Sequence, residues 1–314
     1  MRIVGRTGNE DIAVVYLAEF STGKYVELVE SVQPPIPRSE KWVLIVSTLF
    51  GCPVGCSICD AGGWYEGRLS KEEIFSQIDY LVGRYYPHRK VPMNKFKIQF
   101  ARMGEPALNP AVLDVLRELP QIYEAPGLMP SVSTVAPSGS DEFFKQLLSI
   151  KNEYYAAGSF QLQFSIHSTD PLERDRLIPI KKWDFPRIAA YGESFFSAGD
   201  RKIALNFALS TGSVVSAEVC RTYFDPEVFL VKITPVNPTM RAVQNRIANA
   251  VRDEAGAQTL TWVRSLRRAG FEVIVSIGEW EENKIGSNCG QFIKKFLDTN
   301  LKIKDSYQYP ILPH

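Results

Sequence analysis

Cys52, Cys56 and Cys59 crowd into one short stretch, Cys52-Pro-Val-Gly-Cys56-Ser-Ile-Cys59. Three and then two intervening residues let three thiolates converge on one corner of a metal cluster from a single loop. A structural zinc takes four protein ligands, and the other thiols, Cys220 and Cys289, are distant in sequence. A four-iron, four-sulfur cluster ordinarily takes four cysteines, so a set of three suggests an iron left free for a substrate or cofactor. Iron-sulfur is the leading reading, and zinc completed by a distant fourth ligand or a coincidental, degenerate loop are the alternatives. An odd total of 5 cysteines fits ligation in a reducing compartment better than a disulfide framework.

A loop of ligands needs rigid elements to aim it. Val43 to Phe50 is a β-rich, nearly continuous apolar run that ends at the cysteines, as expected of a parallel strand buried on both faces. Beyond the loop, Ser70 with Glu73 forms a capping box, and Ile74, Ile78, Leu81, Val82 and Tyr85 recur at helical spacing until Pro87. The pattern then alternates. Strands are predicted over 96–100, 131–135, 160–166, 203–209 and 229–233, with helices over 111–119, 141–150, 183–197, 215–223 and 246–268. Six βα units make the fold class α/β, a partial (βα)6 barrel whose functional loops gather at the C-terminal ends of its strands. Residues 1–41 read as a small β-rich N-terminal extension, 42–285 as the barrel and 286–314 as a C-terminal segment carrying Cys289, with a loosely ordered tail from Lys302.

The chain has 314 residues, 45% hydrophobic and 23% charged, which is ample material for one large core and excludes a disordered tail. Lys and Arg (36) nearly balance Asp and Glu (35), which removes the simplest electrostatic argument for a dedicated polyanion binder. Local basic clusters exist, such as Arg89, Lys90, Lys95 and Lys97, and read by default as solvated faces. No apolar run approaches the roughly 18 residues of a membrane helix, and the first residues lack a secretory leader, so no membrane partner and a cytoplasmic location are expected.

Short polar motifs fall at or just after successive predicted strand ends: Met103-Gly104-Glu105-Pro106 with Asn109, Ser131-Val-Ser133-Thr134, Ser165-Ile-His167 and Pro235-Val-Asn237-Pro238. Together they would ring one ligand, although His167 taken singly is as readily a structural imidazole. Cys-x3-Cys-x2-Cys after a first strand is the signature of the radical S-adenosylmethionine (SAM) superfamily, which the chain resembles from about residue 42 to residue 290. Within it, the later motifs resemble those of the ribosomal-RNA adenine methyl-synthase group (RlmN/Cfr), as does Asn288-Cys289-Gly290-Gln291.

The resemblance implies a [4Fe-4S] cluster on Cys52, Cys56 and Cys59, and SAM on the unique iron within reach of Gly104, Glu105, Ser133, Ser165, His167 and Asn237. An electron donor such as flavodoxin or ferredoxin would reduce the cluster and cleave SAM to methionine and a 5'-deoxyadenosyl radical. Cys289 would stand above the reacting carbon as a methyl-accepting thiol. Glu30, in a Glu-Ser-Val resembling the group's Glu-Thr-Val, is a candidate general base, weighed against an exposed strand glutamate. Two departures qualify the resemblance. The group's second catalytic cysteine, which releases the product by forming a disulfide, falls at Ile45, and only 51 residues precede Cys52 where the group carries a helical RNA-binding domain. Cys220 reads as a buried structural thiol. The expected function is a radical SAM enzyme of RlmN/Cfr-like architecture, a methyltransferase in the first instance, that methylates or otherwise modifies an unidentified small-molecule or RNA substrate and is not a standard rRNA adenine methyltransferase. The alternatives are an rRNA or tRNA adenine-C2 methyltransferase that borrows an external thiol, a non-catalytic iron-sulfur redox sensor, and a zinc-stabilised nucleic-acid module.

Overall fold

Strict alternation of buried and half-buried side chains along the central strands decides how the chain folds. The computed structural model describes residues 1–21, 23–251, 256–278, 280–287, 292–297 and 308–313. Among them the strands are β1 (Arg2–Asn9), β2 (Ala13–Glu19), β3 (Tyr25–Ser31), β4 (Lys41–Val46), β5 (Leu49–Gly51), β6 (Tyr65–Arg68) and β7 (Lys95–Phe100). They continue as β8 (Leu128–Thr134), β9 (Gln161–Ser165), β10 (Ile203–Leu209), β11 (Phe229–Pro235), β12 (Val273–Val275) and β13 (Leu312–Pro313). The helices are α1 (Lys71–Gly83), α2 (Ala111–Ile122), α3 (Asp141–Tyr154), α4 (Pro171–Leu177) and α5 (Phe185–Phe195). After them come α6 (Ala217–Tyr223), α7 (Met240–Gln244), α8 (Ala257–Arg268), α9 (Trp280–Ile285) and α10 (Phe292–Leu297).

One sheet of eleven strands has the order β12-β11-β10-β9-β8-β7-β4-β3-β2-β1-β13. From β4 to β12 every pairing is parallel, which is the predicted barrel with one further strand, β12, that the sequence reading did not foresee. In β4, β7, β9 and β11 buried apolar residues, such as Trp42, Phe96, Phe164 and Val231, alternate with half-buried ones. The buried parity is the outer face, which the crossover helices cover. The other parity forms an inner face of Ile45, Gln99, Ser131, Ser133, Gln163, Ser165, Asn206 and Lys232, joined by register.

The N-terminal strands do not stand apart. β3 pairs antiparallel with β4, so β1–β3 prolong the barrel sheet. On one side Tyr80 of α1 meets Tyr16 edge-on, with ring centroids 5.4 Å apart, and on the other α9 and α10 pack against β1–β3. β13 adds to the far edge through Gly5 and Arg6.

Two predicted elements are corrected. The strand read as Val43–Phe50 breaks at Ser47-Thr48, where Ser47 donates its hydroxyl to Glu27 O (2.5 Å) and its N–H to Gln77 Oε1 (2.9 Å), while Thr48 N–H turns to Met103 O (2.8 Å). β5 then leaves the sheet to pair with β6. The helix predicted from 246 begins only at Ala257, because Asn249 bridges Ser210 and its side chain binds Val236 and Val251. Most of the tail from Lys302 lies outside the described residues.

Glu30 is also corrected. It is neither exposed nor at the site: register with Val14 and Leu44 puts it on the outer parity, buried beneath α1. Arg84 donates to it, Tyr16 OH donates at 2.6 Å and Arg38 lies at 3.7 Å. Burial outweighs these partners and pushes its carboxyl up to about 7. Glu30 is thus a staple between β3 and α1. Glu30→Ala should destabilise the fold by about 1.5–3 kcal/mol, the range for hydrogen bonds to a charged group, measured by urea unfolding; unchanged stability with lost turnover would return it to the general-base role.

Candidate active site

β5 delivers Cys52 to the mouth of the barrel, and the loop folds back so that Cys52 N–H reaches Trp64 O at 3.0 Å. Gly62 makes this possible: a Cβ there would stand 2.8 Å from Gly55 Cα, so only glycine permits the approach. Cys59 N–H binds Cys56 O (3.2 Å) and Gly62 N–H binds Cys59 O (3.3 Å), which closes the turn.

From across the barrel, the segment after β11 holds the loop in place. Both oxygens of the buried Asp60 accept backbone N–H groups at the start of α7, from Met240 (3.0 Å) and Arg241 (2.9 Å). In return, Arg241 donates to the carbonyls of Cys56 (3.1 Å) and Gly55 (2.9 Å), Thr239 to that of Ile58 (3.0 Å) and Asn245 to that of Ser57 (2.8 Å). Sequence reasoning missed this set. Its signal was the carboxylate directly after Cys59 and the Thr239 N-cap after Pro235-Val-Asn237-Pro238.

The thiols sit against Val54, Val135, Leu177 and Ile178, which pack on Cys52 and Cys56. Burial pushes the Cys52 thiol up to about 12, with Cys59 adding to it, and drives Cys56 well above the ordinary thiol range, with Cys59 and Cys52 adding. Glu105 raises both further, so the four groups share one electrostatic neighbourhood. A metal cation would have to displace these protons to bind the thiols. Among the described residues no three His, Cys, Asp or Glu side chains are grouped to share a single metal ion. In a cubane cluster each thiolate takes its own iron.

The strand-end motifs are placed as follows. Gly104 (φ +99°) lies against Leu49, whose Cβ would be 2.5 Å from a Cβ at this position. Glu105 is buried and accepts from Thr134 Oγ1 (2.6 Å), Val135 N–H (2.8 Å) and Ala107 N–H (3.0 Å). Burial raises its carboxyl to about 7 against the pull of those three donors. Ser133 and Ser165 both point to the inner face, Ser133 accepting from Gln163 at 3.3 Å. His167 has a left-handed backbone (φ +65°), and its Nδ1 accepts from Ala208 N–H at 3.0 Å. Burial, with Arg174 nearby, lowers its pKa to about 4, so it is a neutral imidazole. Asn206, beside Ser165 in the sheet, and Asn237 each carry a buried Oδ1 with no hydrogen-bond partner. Two orphaned acceptors suit a ligand rich in N–H and O–H donors, as the amine, ribose and adenine of SAM are.

Ile45 is half-buried on the inner face, in register with Val29 and Gln99. Cys220 is buried in the core, and burial pushes its thiol up to about 12, as expected of a structural cysteine. Cys289 lies outside the described residues. Its flanks are held by a buried ion pair that the sequence did not announce. Arg102 pairs with Glu27 and donates to Ser287 O (2.8 Å) and Gly286 O (2.9 Å), while Glu27 accepts from Ile293 N–H (2.8 Å). Both anchors adjoin the Gly104-Glu105 motif, since Glu27 N–H also meets Met103 Sδ at 3.3 Å.

Every partner of Glu105 donates, so a glutamine there would turn an amide toward two fixed N–H groups. Glu105→Gln should cost about 1–3 kcal/mol in denaturant unfolding and weaken SAM binding in equilibrium titration. Unchanged stability would show that the carboxylate is not held as described.

No protein-family model matches the chain. It is 27% identical over 284 residues to the probable dual-specificity RNA methyltransferase RlmN of Desulfitobacterium hafniense, covering 88% of this chain and 74% of that one. A shorter match, 32% over 152 residues, links 47% of the chain to 38% of the dual-specificity RNA methyltransferase RlmN of Helicobacter hepaticus. The crystal structure of a radical SAM methyltransferase from Sphaerobacter thermophilus superposes with a TM-score of 0.70 at 20% identity, over 92% of this chain and 80% of that one. In sequence along most of its length the chain is thus similar to the RlmN-type radical SAM methyltransferases, enzymes that use a [4Fe-4S] cluster and SAM, and it has the fold of a radical SAM methyltransferase.

Proposed function

We propose that this chain is a radical SAM enzyme that binds a [4Fe-4S] cluster through Cys52, Cys56 and Cys59, cleaves SAM reductively, and methylates or otherwise modifies a substrate other than ribosomal-RNA adenine. The observation that carries the reading is one electrostatic neighbourhood shared by Cys52, Cys56, Cys59 and Glu105, with Cys52 and Cys56 walled by apolar side chains, in a barrel whose buried Asn206 and Asn237 Oδ1 atoms lack partners. The bound cluster would supply one electron to SAM and so generate a hydrogen-abstracting 5'-deoxyadenosyl radical.

Each residue of the chain then has a task. Val54, Val135, Leu177 and Ile178 exclude water from the thiolates. Asp60 and Arg241 keep the loop and the Asn237 segment in fixed relation, so that thiols and orphaned acceptor meet the same ligand. Glu105, raised by burial, gains from a cation and would ionise beside the SAM ammonium. Neutral His167 is fixed by Ala208 N–H with its other ring nitrogen carrying the proton, so it offers a donor but no charge. Cys289, bracketed by the anchors of Arg102 and Glu27, is assigned the methyl-accepting role.

The relatives' names specify RNA as their substrate. Ile45 supports a different one here, because a branched alkyl group on the inner face cannot form the disulfide that frees an adenine product from a protein thiol. Anaerobically reconstituted protein with dithionite and SAM should release 5'-deoxyadenosine, and Cys56→Ala should abolish both cluster assembly and that product. Incubation with rRNA fragments should give no multiple-turnover methyladenosine by mass spectrometry; its appearance would overturn the substrate assignment. Intact-mass analysis after SAM treatment should find one methyl group on wild type and none on Cys289→Ala.

A further inference from the structure

The cysteine loop lies in surroundings that oppose added negative charge. Val54, Val135, Leu177 and Ile178 wall Cys52 and Cys56, and Glu105 stands in the same electrostatic neighbourhood. Three thiolates on a doubly positive four-iron core leave one net negative charge, and one further electron leaves two. Apolar walls make that second charge harder to hold.

Among the described residues, three side chains donate to carbonyls of this loop. Thr239 donates to Ile58 O (3.0 Å), Asn245 to Ser57 O (2.8 Å), and Arg241 to both Cys56 O (3.1 Å) and Gly55 O (2.9 Å). Only Arg241 is a cation, and its guanidinium rests on the carbonyl of a ligand residue. It is held at both ends. Its own N–H is bound to Asp60 Oδ1 (2.9 Å), Nε and Nη2 are bound to the loop, and a Cβ at Gly63 would stand 3.1 Å from Nη1.

We propose that Arg241 is a positioning residue that also sets the reduction potential of the site, its charge on the Cys56 carbonyl favouring entry of the one electron that SAM cleavage requires. The inference rests on the radical SAM reading. Neutral donors are enough to clamp a loop, as Thr239 and Asn245 do at the neighbouring carbonyls, so a cation at Cys56 adds something that a clamp does not need. A guanidinium keeps its charge at every working pH, so the contribution is constant and not switched.

The test is anaerobic potentiometric titration of the reconstituted full chain with dithionite, read by the electron paramagnetic resonance signal of the reduced cluster. Dithionite supplies one electron per cluster, and no bond forms or breaks. At a fixed donor potential, the ratio of reduced to oxidised cluster should be at least threefold lower in Arg241→Gln than in wild type, about 28 mV for one electron. Iron and sulfide content measured alongside checks that loading is equal. Arg241→Lys keeps the charge without the two-carbonyl fork and should stay nearer to wild type than Arg241→Gln does. Arg246→Gln removes an exposed cation of the same segment and should match wild type. Should Arg241→Gln assemble no cluster, Asn245→Lys brings an ammonium to the Ser57 carbonyl and should raise the ratio by the same factor. A smaller change in Arg241→Gln, an equal one in Arg241→Lys or Arg246→Gln, or no rise in Asn245→Lys would overturn the proposal. Wild type that assembles no iron-sulfur cluster would sink the radical reading and this proposal together, whereas a wild-type cluster whose potential ignores Arg241 would sink the proposal alone.

Discussion

Side-chain parity along the parallel strands is the constraint from which the rest of this molecule follows. Each strand from β4 to β11 must bury one set of side chains under helices, and burying a single large apolar side chain is worth about 1.5–3 kcal/mol. Slipping one strand by one residue would turn Trp42, Leu44 and Val46, or Phe96, Ile98 and Phe100, to the wrong side, so the register has no competitor. The remaining parity is then free to be polar. Ser133, Ser165, Asn206 and the lysines face inward because their neighbours face out, and Glu30 is excluded from the site for the same reason.

Parity sets the inner face, but it does not place a loop over it. That is done by polar groups that meet across great sequence separation. Ser47 and Thr48 divert the chain out of the sheet, and Asp60, Thr239, Arg241 and Asn245 clamp the cysteine loop to the opposite side of the barrel. The Glu27–Arg102 pair does the same for the C-terminal segment. A fully buried ion pair adds little net stability once desolvation is counted. Its value here is positional: the guanidinium can be satisfied only if the carbonyls of Gly286 and Ser287 come to it, which brings those two residues to the Gly104-Glu105 motif.

What the sequence disclosed divides along the same line. Six strands, the Ser70–Glu73 capping box and the ligand loop were legible because each is written in a local period or spacing. The break at Ser47-Thr48, the late start of α8, the short helices α4 and α7 and the strand β12 depend on partners far along the chain. So does the burial of Glu30, whose companions Tyr16, Arg38 and Arg84 come from three separate segments. Lys95-Phe-Lys97-Ile-Gln99-Phe alternates strictly, so the sequence also shows that Lys95 and Lys97 share the face opposite Phe96 and Ile98.

On the inner face Ile45 stands between Val29 and Gln99, while Cys220 is sealed into the core on α6, so among the described residues the thiols outside the core are those of Cys52, Cys56 and Cys59. A reaction that left its product covalently bound to Cys289 would need a thiol from solution for each turnover. Ile45 cannot supply that thiol, so the alkyl side chain in this inner-face position separates the barrel from one that frees its product through an internal disulfide.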